Sequence, residues 1–375
     1  MMARARRAHL SQLDIRCRLF DVLVEPVLSY ASHVWGPNEF CKPLAAGGQR
    51  RPLVATAADK VHMYFLRMLT GVGAKACADV LLRDMHRAPV MHHWVVLAAR
   101  WWSKLAQMDP EVSRVARAAW LSDIDLMRTR GRNGRPHTRC WTYKLLHTLQ
   151  ALGVITPAQW GPSADLTALV FDESAVKQRL AAWLCARWAG VPQGDPRVAA
   201  DGYAMAVHAN WVYRVPPGTD CTDRRQAPPH MLLCLPARFL RVLVQLRCGW
   251  ARLAVQTGAW QRPRLPREER VCQVCCGPDS TAAQRQAALA RCRHEQGLPP
   301  AQHTVVEDLR HVILECPAYD DIRSRYTLLP ASPWMTPDPC AALRALFEHD
   351  NQAALARMLH AILAHRADRL GITWW

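Results

Sequence analysis

Three cysteines and a histidine in the last third of the chain have the residue types and spacing of a metal site. Cys272 and Cys275 form a Cys-x2-Cys pair, and His311 and Cys316 form a His-x4-Cys pair. The first spacing places two thiolates on one tight turn, and the second places two ligands about one helical turn apart. Three sulfurs and one imidazole are typical of a four-coordinate Zn²⁺ site with no position open for water. The pattern therefore predicts a structural rather than a catalytic zinc site.

The long spacer between the two pairs leaves the choice of ligands open. It contains an Ala/Gln/Arg-rich stretch, residues 282–293, that predicts an inserted helix. Because closure entropy grows only logarithmically with loop length, the insertion adds only about 1 kcal/mol to the cost of closure. Cys276 could replace Cys275, and Cys292 or His294 could compete for a place. The alternative interpretation is that these are ordinary buried cysteines and a capping histidine.

The elements that position these residues are predicted to be mostly α-helical. Apolar residues recur every three to four positions in several segments, which is the pattern of helices with one buried face. Helices are expected over residues 10–35, with a bend or restart at Pro26, and over 59–69, 91–108 and 140–153. Proline and glycine predict a loop or insertion over residues 37–58, and residues 155–235 are expected to hold short helical pieces between proline-rich breaks.

Two groups of arginines are candidate contacts for nucleic acid. A segment without acids, whose glycines and proline predict an exposed loop, holds Arg128, Arg130, Arg132, Arg135 and Arg139. A helix predicted over 238–252 places Arg238, Arg241 and Arg252 on one side and apolar residues on the adjoining side. The planar guanidinium group matches the geometry of phosphate, and Trp141 and Tyr143 could supply a stacking platform. The alternative for each group is a solvated face without a ligand.

The composition restricts the partners more than it restricts the fold. Lys and Arg number 48 against 31 Asp and Glu, which gives a formal net charge of +17 over 375 residues. Such a balance predicts a polyanionic partner. A membrane is disfavoured because no stretch approaches the roughly 18 consecutive apolar residues of a spanning helix, and the basic N-terminus lacks the apolar region of a secretory signal. Without that signal, the 14 cysteines argue against a disulfide framework.

Carboxylates arranged for catalysis are missing from the sequence. A polymerase holds two Mg²⁺ ions with paired carboxylates, some of them in a Tyr-x-Asp-Asp turn, and no such turn occurs here. Tyr319-Asp320-Asp321 lacks the intervening residue and directly follows Cys316-Pro317, so its acids are interpreted as a solvated helix start. Catalytic triads and glycine-rich phosphate loops have no signature either. The chain is therefore expected not to be an enzyme by itself.

The residues around the predicted zinc ligands resemble those of a known module. In order they read Arg270-x-Cys272-x-x-Cys275, Glu307-Asp308-x-x-His311, Glu315-Cys316-Pro317-x-Tyr319 and a closing Arg323. This series resembles the Cys-Cys-His-Cys module that closes many non-LTR (LINE-type) retrotransposon reverse transcriptases. The long insertion after Cys275 departs from the usual short spacer.

Further matches to the same enzymes precede this module in the family's order. Residues 19–30 with Trp35-Gly36 resemble the segment that follows the palm, and residues 65–72 with the Trp-rich helix after them extend that match. Residues 247–258 resemble the stretch just before the zinc module. Together the matches touch most of the chain between residues 10 and 325. The fingers and palm are then expected to be missing, so that the chain begins inside the enzyme.

The resemblance implies four segments: a thumb-like helical region at 1–154, a helical connector at 155–235, a basic helix with the zinc module at 236–328 and a helical tail at 329–375. It implies RNA or DNA as the partner, bound without sequence specificity, and nuclear localisation. Polymerase activity is expected only with a separate N-terminal part. The alternatives are a zinc-braced protein-interaction module, an enzyme completed in trans by a palm-bearing chain, and a decayed element fragment.

Overall fold

The computed structural model describes residues 12–45, 54–74, 76–109, 111, 113–129, 137–194, 228–254, 257, 263, 270–276, 306–328 and 339–373. Within these ranges the regular secondary structure is helical, apart from a single antiparallel bridge between Val271 and Val306. The expected mostly-α fold class is confirmed.

The N-terminal helices are α1 (Leu13–Leu23), α2 (Glu25–Leu28), α3 (Ser32–Ala45) and α4 (Ala57–Thr70). Pro26 lies in the first turn of α2, where its missing N–H removes no helical hydrogen bond, and the helix restarts there as predicted. The predicted loop is wrong over residues 37–45, because α3 continues through Pro37 and Pro43. Burial of α3 residues such as Phe40 against the neighbouring helices outweighs the hydrogen bonds that the prolines remove.

Helix α4 begins and ends at residues suited to those positions. The Thr56 hydroxyl accepts a hydrogen bond from the Asp59 N–H at 3.0 Å, and the Asp59 carboxylate accepts one from the Thr56 N–H at 3.2 Å. Gly71 ends the helix in the left-handed conformation, with φ of 72°. Gly73 makes room for an indole ring, since a Cβ there would lie 2.0 Å from Cζ2 of Trp250. The end of α4 is thereby packed against the segment around Trp250.

The centre of the chain is organised around the tryptophan-rich helix α6. This part of the chain contains α5 (Ala78–Asp84), α6 (Val90–Gln107), α7 (Arg114–Arg128) and α8 (Trp141–Ala151). Trp102 of α6 is fully buried, stacks on Trp141 with ring centroids 5.8 Å apart, and meets Trp120 edge-on at 5.1 Å. The tryptophan stripe is core, as its spacing predicts.

Helix α9 (Glu173–Gly194) corrects the prediction of short helical pieces over residues 155–235. Two short 3₁₀ turns do precede it, Pro157–Trp160 and Leu166–Ala168. α9 buries apolar side chains at four-residue intervals, from Val176 to Trp188, against the core. Arg187 in its last turns forms a buried ion pair with Asp79 of α5 at 2.8 Å. This spacing and this pair stabilise one long helix over 173–194, and residues 195–227 of the predicted range lie outside the described residues.

The C-terminal elements are α10 (Ala237–Arg247), α11 (Gln273–Cys276), a π turn (His311–Glu315), α12 (Asp320–Ser324), α13 (Pro339–Phe347) and α14 (Gln352–Leu370). α10 is shorter than the predicted 238–252, because Gly249 adopts a positive φ of 64° just after it. The acids Asp320 and Asp321 lie in the first turn of α12, as interpreted from the sequence. α10 packs along α14, where the rings of Phe239 and His360 are 4.7 Å apart.

A buried ion pair joins α10 to α5, which lies much earlier in the chain. Arg247 of α10 donates to the Asp84 carboxylate of α5 at 2.8 Å and to the Phe347 carbonyl of α13 at 3.2 Å. His230 lies 3.4 Å from the same carboxylate. The buried apolar side chains form one continuous cluster that runs from Leu13 in α1 to Leu363 in α14. None of the described helices is long and apolar enough to cross a membrane.

Two buried histidines should make folding stability fall in acid. Burial, together with the nearby Arg87 and Arg187, lowers the pKa of His62 and of His92 to about 3. An unfolded chain binds a proton at each site below its ordinary pKa of about 6.5, whereas the folded chain does not. Stability present at neutral pH is therefore lost as the pH falls below 6.5, by about 1.4 kcal/mol per pH unit for each histidine.

The variant that replaces both histidines, His62→Phe with His92→Phe, should lose this acid sensitivity while keeping a ring at each position. Urea unfolding at pH 7 and pH 5 should show a smaller stability loss than the wild type, by about 2 kcal/mol for each histidine. His137→Phe, at an exposed position, is the control and should behave like the wild type. Parallel losses in the double variant and the wild type would contradict the assignment.

Candidate metal centre

The four predicted ligands lie on two short segments, each of which brings two ligands close together. Cys272 directly precedes α11, and Cys275 lies within it, one turn along, with its thiol 3.9 Å from the Cys272 carbonyl. His311 begins the π turn and Cys316 directly follows it, where the Cys316 N–H donates to the His311 carbonyl at 2.6 Å. The wider π turn closes the five-residue separation and brings the two ligands to one side.

Side-chain atoms of all four residues converge on one point. The Sγ atoms of Cys272 and Cys316 are 3.9 Å apart, and Sγ of Cys275 is 3.5 Å from Nε2 of His311. All four ligand atoms lie within 4.8 Å of one another. Cys272, Cys316 and His311 are buried and Cys275 is half-buried. Together they could hold a metal ion.

Two alternatives from the sequence lie outside what the structure describes. The side chain of Cys276 and the whole of Cys292 and His294 lie outside the described residues. Among the described residues, the Cys272, Cys275, His311 and Cys316 set is the one that comes together.

Backbone pairing brings the two segments together across the long spacer. The bridge between Val271 and Val306 is closed by a hydrogen bond from the Glu307 N–H to the Arg270 carbonyl at 2.9 Å. The Asp308 carboxylate then accepts the His311 N–H at 2.9 Å, which starts the turn that carries His311. The two segments that carry the ligands are therefore joined by backbone hydrogen bonds, although they are far apart in sequence.

Arg323 fixes the backbone of the last ligand, Cys316. Its guanidinium is buried, donates to the Cys316 carbonyl at 2.6 Å and to the Ile313 carbonyl at 3.4 Å, and pairs with Asp320. These bonds hold the two carbonyls in place, and the Cys316 carbonyl also accepts the Tyr319 N–H at 3.1 Å. The arginine that closes the sequence motif therefore has a structural task at the site.

The electrostatics of the cluster favour a bound cation. Hydrogen bonds from Cys275 and Cys316 lower the pKa of the Cys272 thiol far below its ordinary value. Burial opposes the protonation of His311, yet its contacts with Cys272 and Cys316 raise its pKa well above the usual range. The cluster thus concentrates negative charge on sulfur in a buried place, and a metal ion would take over the charge balance from the His311 proton.

Two of the five arginines predicted to form the first group, Arg128 and Arg139, lie among the described residues. Arg128 ends α7 and is exposed, with its guanidinium donating to the Ala164 carbonyl, and Arg139 is exposed just before α8. Arg130, Arg132 and Arg135 lie outside the described residues. Their grouping therefore stays a prediction.

The arginines near α10 form a smaller group than the helical wheel suggested. Arg238 is exposed, with its guanidinium 5.0 Å from the centre of the Phe239 ring, and Arg241 is half-buried. Arg252 is exposed but lies beyond the end of α10, in a turn with φ of 28°. Only Arg238 and Arg241 share the helix face.

A second cationic face, on α4, was missed by sequence reasoning. Lys60, Tyr64 and Arg67 lie at spacings of four and three, and Tyr64 is 69% exposed. Burial lowers the pKa of Arg67, and its Nε atom has no acceptor among the described residues. The helical spacing of these three residues was visible in the sequence. It was overlooked because the helix was interpreted from its apolar face alone.

Comparisons with known proteins do not identify a family for this chain. No family model matches it, and no curated protein or solved structure is significantly similar to it. Its function must therefore be inferred from its own residues.

The metal site should be detectable by stoichiometry. The full chain purified without chelator should carry one metal ion, and Cys275→Ser or His311→Ala should abolish it, because each removes one of four ligands. Cys248→Ser is the matched control, since Cys248 is buried away from the cluster. Elemental analysis measures the content. Metal retained in both ligand variants would rule the site out.

Proposed function

We propose that this chain is the non-catalytic C-terminal part of a reverse transcriptase of the non-LTR retrotransposon type. The observation that carries the proposal is the placement of the motif residues around one point. The four ligand positions converge, and the flanking motif positions Glu307, Asp308 and Arg323 are all buried and bonded at the same place. Formation of a loop does not by itself require these residue types to occur together in this order.

The metal that we propose is Zn²⁺ in a structural role. A tetrahedral site with Zn–S of about 2.3 Å and Zn–N of about 2.05 Å has edges of about 3.8 Å between two sulfurs and about 3.5 Å between sulfur and nitrogen. The corresponding separations here are 3.9 Å and 3.5 Å. Thiolates also disfavour Mg²⁺ and Ca²⁺, which prefer oxygen. Four protein ligands leave no position for substrate, so zinc here would supply folding energy.

Nucleic acid is the partner that we propose for the cationic faces of α4 and α10. Asp59 is the only acid in α4, and it is buried in the capping box, while α10 contains none. No carboxylate on these helices therefore offsets the exposed Lys60 and Arg238. Phosphates bind such faces through release of counterions, without reading the sequence of bases.

We propose that the two faces form one surface, because the helices that carry them are in contact near their C-terminal ends. The Gln245 side chain of α10 donates to the Gly71 carbonyl, at the end of α4, at 3.0 Å. Arg241 lies beside the same glycine, with its Cδ 3.6 Å from where a Gly71 Cβ would be. The exposed ring of Tyr64 adds a place where an unpaired base can stack.

Replacing cations of this surface should weaken binding in a salt-dependent way. The variant Lys60→Ala, Arg67→Ala, Arg238→Ala should bind a 20-nucleotide DNA or RNA less tightly. Its slope of log affinity against log salt should fall by roughly 0.7 for each lost phosphate contact. Tyr64→Ala should cost about 1 to 3 kcal/mol with a single strand and little with a duplex. Fluorescence anisotropy over a KCl series measures both.

The control removes a cation elsewhere. Lys177→Ala, on α9, takes away an exposed lysine that pairs with Glu173. If the triple variant binds like Lys177→Ala, the surface is only a solvated face. If the wild-type chain binds no nucleic acid, the proposed partner is wrong.

A second candidate function, binding of another polypeptide, is favoured by an apolar face on α1 to α3. Val22, Val27 and Tyr30 are 71%, 73% and 81% exposed, and Leu23 and Val34 are exposed beside them in sequence. Clusters of this kind mark interaction sites more often than isolated apolar residues do. The occupant we propose is a polymerase palm, because the resemblance places this segment directly after the palm.

Charges on that face should abolish binding to a palm. Val27→Asp with Tyr30→Asp should weaken association of the chain with a separately produced fingers–palm domain of a non-LTR reverse transcriptase at least tenfold. Val115→Asp on α7, at an equally exposed valine (85%), is the control. Analytical ultracentrifugation of the mixtures measures the association. Equal association of both variants would contradict this function.

A further inference from the structure

Glu307 is a buried carboxylate whose two oxygens are both committed. It is 1% exposed and accepts hydrogen bonds from Arg366 at 2.7 and 2.8 Å, one to each oxygen. The second oxygen also accepts the Ala254 N–H at 2.7 Å, and the first lies 3.9 Å from Sγ of Cys272. The carboxylate therefore links a metal ligand, the segment after α10 and the C-terminal helix.

Glu307 places a negative charge beside a sulfur that binds metal as a thiolate. Three thiolates and a divalent cation already leave one net negative charge on a site of this composition. A further buried carboxylate at this separation repels that negative charge and weakens binding of the metal, unless a cation balances the carboxylate. Arg366 is the cation that lies against it, and its two parallel hydrogen bonds also hold the carboxylate in one orientation.

Arg366 comes from a distant part of the chain. It lies on α14, in the predicted tail at 329–375, well beyond the last ligand, Cys316. α14 reaches the site because it packs along α10 and because His365 meets the ring of the buried Tyr319 edge-on at 5.9 Å. The metal centre thus depends on a helix that the sequence motif does not include.

We propose that Arg366 is a positioning residue of the metal centre, which neutralises and orients Glu307 so that this buried carboxylate can lie 3.9 Å from Sγ of the metal ligand Cys272. The inference rests on the proposed zinc site and is independent of nucleic-acid binding. Residues that orient and balance metal ligands in this way commonly change metal affinity by 10- to 100-fold when they are replaced.

The test separates this electrostatic role from a role in packing. Zinc affinity of the full chain is measured by competition with a chromogenic chelator for the wild type, Arg366→Met, Arg366→Lys and the double variant Arg366→Met with Glu307→Gln. Arg366→Met should weaken zinc binding 10- to 100-fold. The double variant should recover to within a few-fold of the wild type, because glutamine keeps the shape of Glu307 without its charge. Arg366→Lys should lie between, since it keeps the charge and loses the fork.

The absorption of bound cobalt is a measurement that a change in packing alone would not alter. The thiolate-to-cobalt absorption reports how many thiolates bind the ion, so it should weaken in Arg366→Met and return in the double variant. Arg369→Met, at an exposed position on the same helix, is the control and should match the wild type. Far-UV circular dichroism establishes that each variant is folded. If Arg366→Met does not fold, recovery or loss of affinity in the double variant still decides the question.

The outcomes are distinct. Equal loss of affinity in Arg366→Met and the double variant, or no loss in Arg366→Met, would overturn the positioning role while leaving the zinc site intact. Absence of metal binding by the wild type would overturn the zinc site and this inference together.

Discussion

The C-terminal half of this protein depends on the balancing of charged groups that are buried away from solvent. Sulfur atoms of Cys272 and Cys316 lie 3.9 Å apart in a place that solvent does not reach. Two thiolates so close in a medium of low dielectric constant repel each other strongly unless a cation lies between them. The same requirement recurs around the site, where Glu307 meets Arg366, and farther away, where Asp84 meets Arg247. Each ion pair joins two segments that are far apart in sequence.

The metal segments have little else to stabilise them. α11, the π turn and α12 are each five residues or fewer, and a single bridge joins their two strands of chain. Helices this short are not stable without tertiary contacts. The four ligand residues and the packing of α14 therefore hold these short segments in place. A metal ion held by the cluster would stabilise them further.

Sequence reasoning located the ligands because their types and spacing carry the chemistry with them. Cys272, Cys275, His311 and Cys316 come together as predicted, and so do the tryptophan core of α6 and the helix start at Asp320. The errors are where tertiary packing overrides a local signal. Pro37 and Pro43 were expected to prevent a helix, yet α3 forms because its apolar face is buried. α9 likewise extends through a segment that was expected to be broken.

Partners from distant parts of the chain could not be predicted at all. No local pattern indicates that Arg366 pairs with Glu307, or that Arg247 reaches Asp84, because each pair depends on how helices cross. The pair formed by Arg366 and Glu307 also connects the four ligand residues to the rest of the fold. Through Glu307 and Ala254 the site is bonded to the segment after α10, and through Arg366 it is bonded to α14, which packs along α10. The helix that carries Arg238 is thus contacted from both sides by groups that lead back to the four ligand residues. A cluster that could hold a metal ion in this way also fixes the position of the helix that carries Arg238.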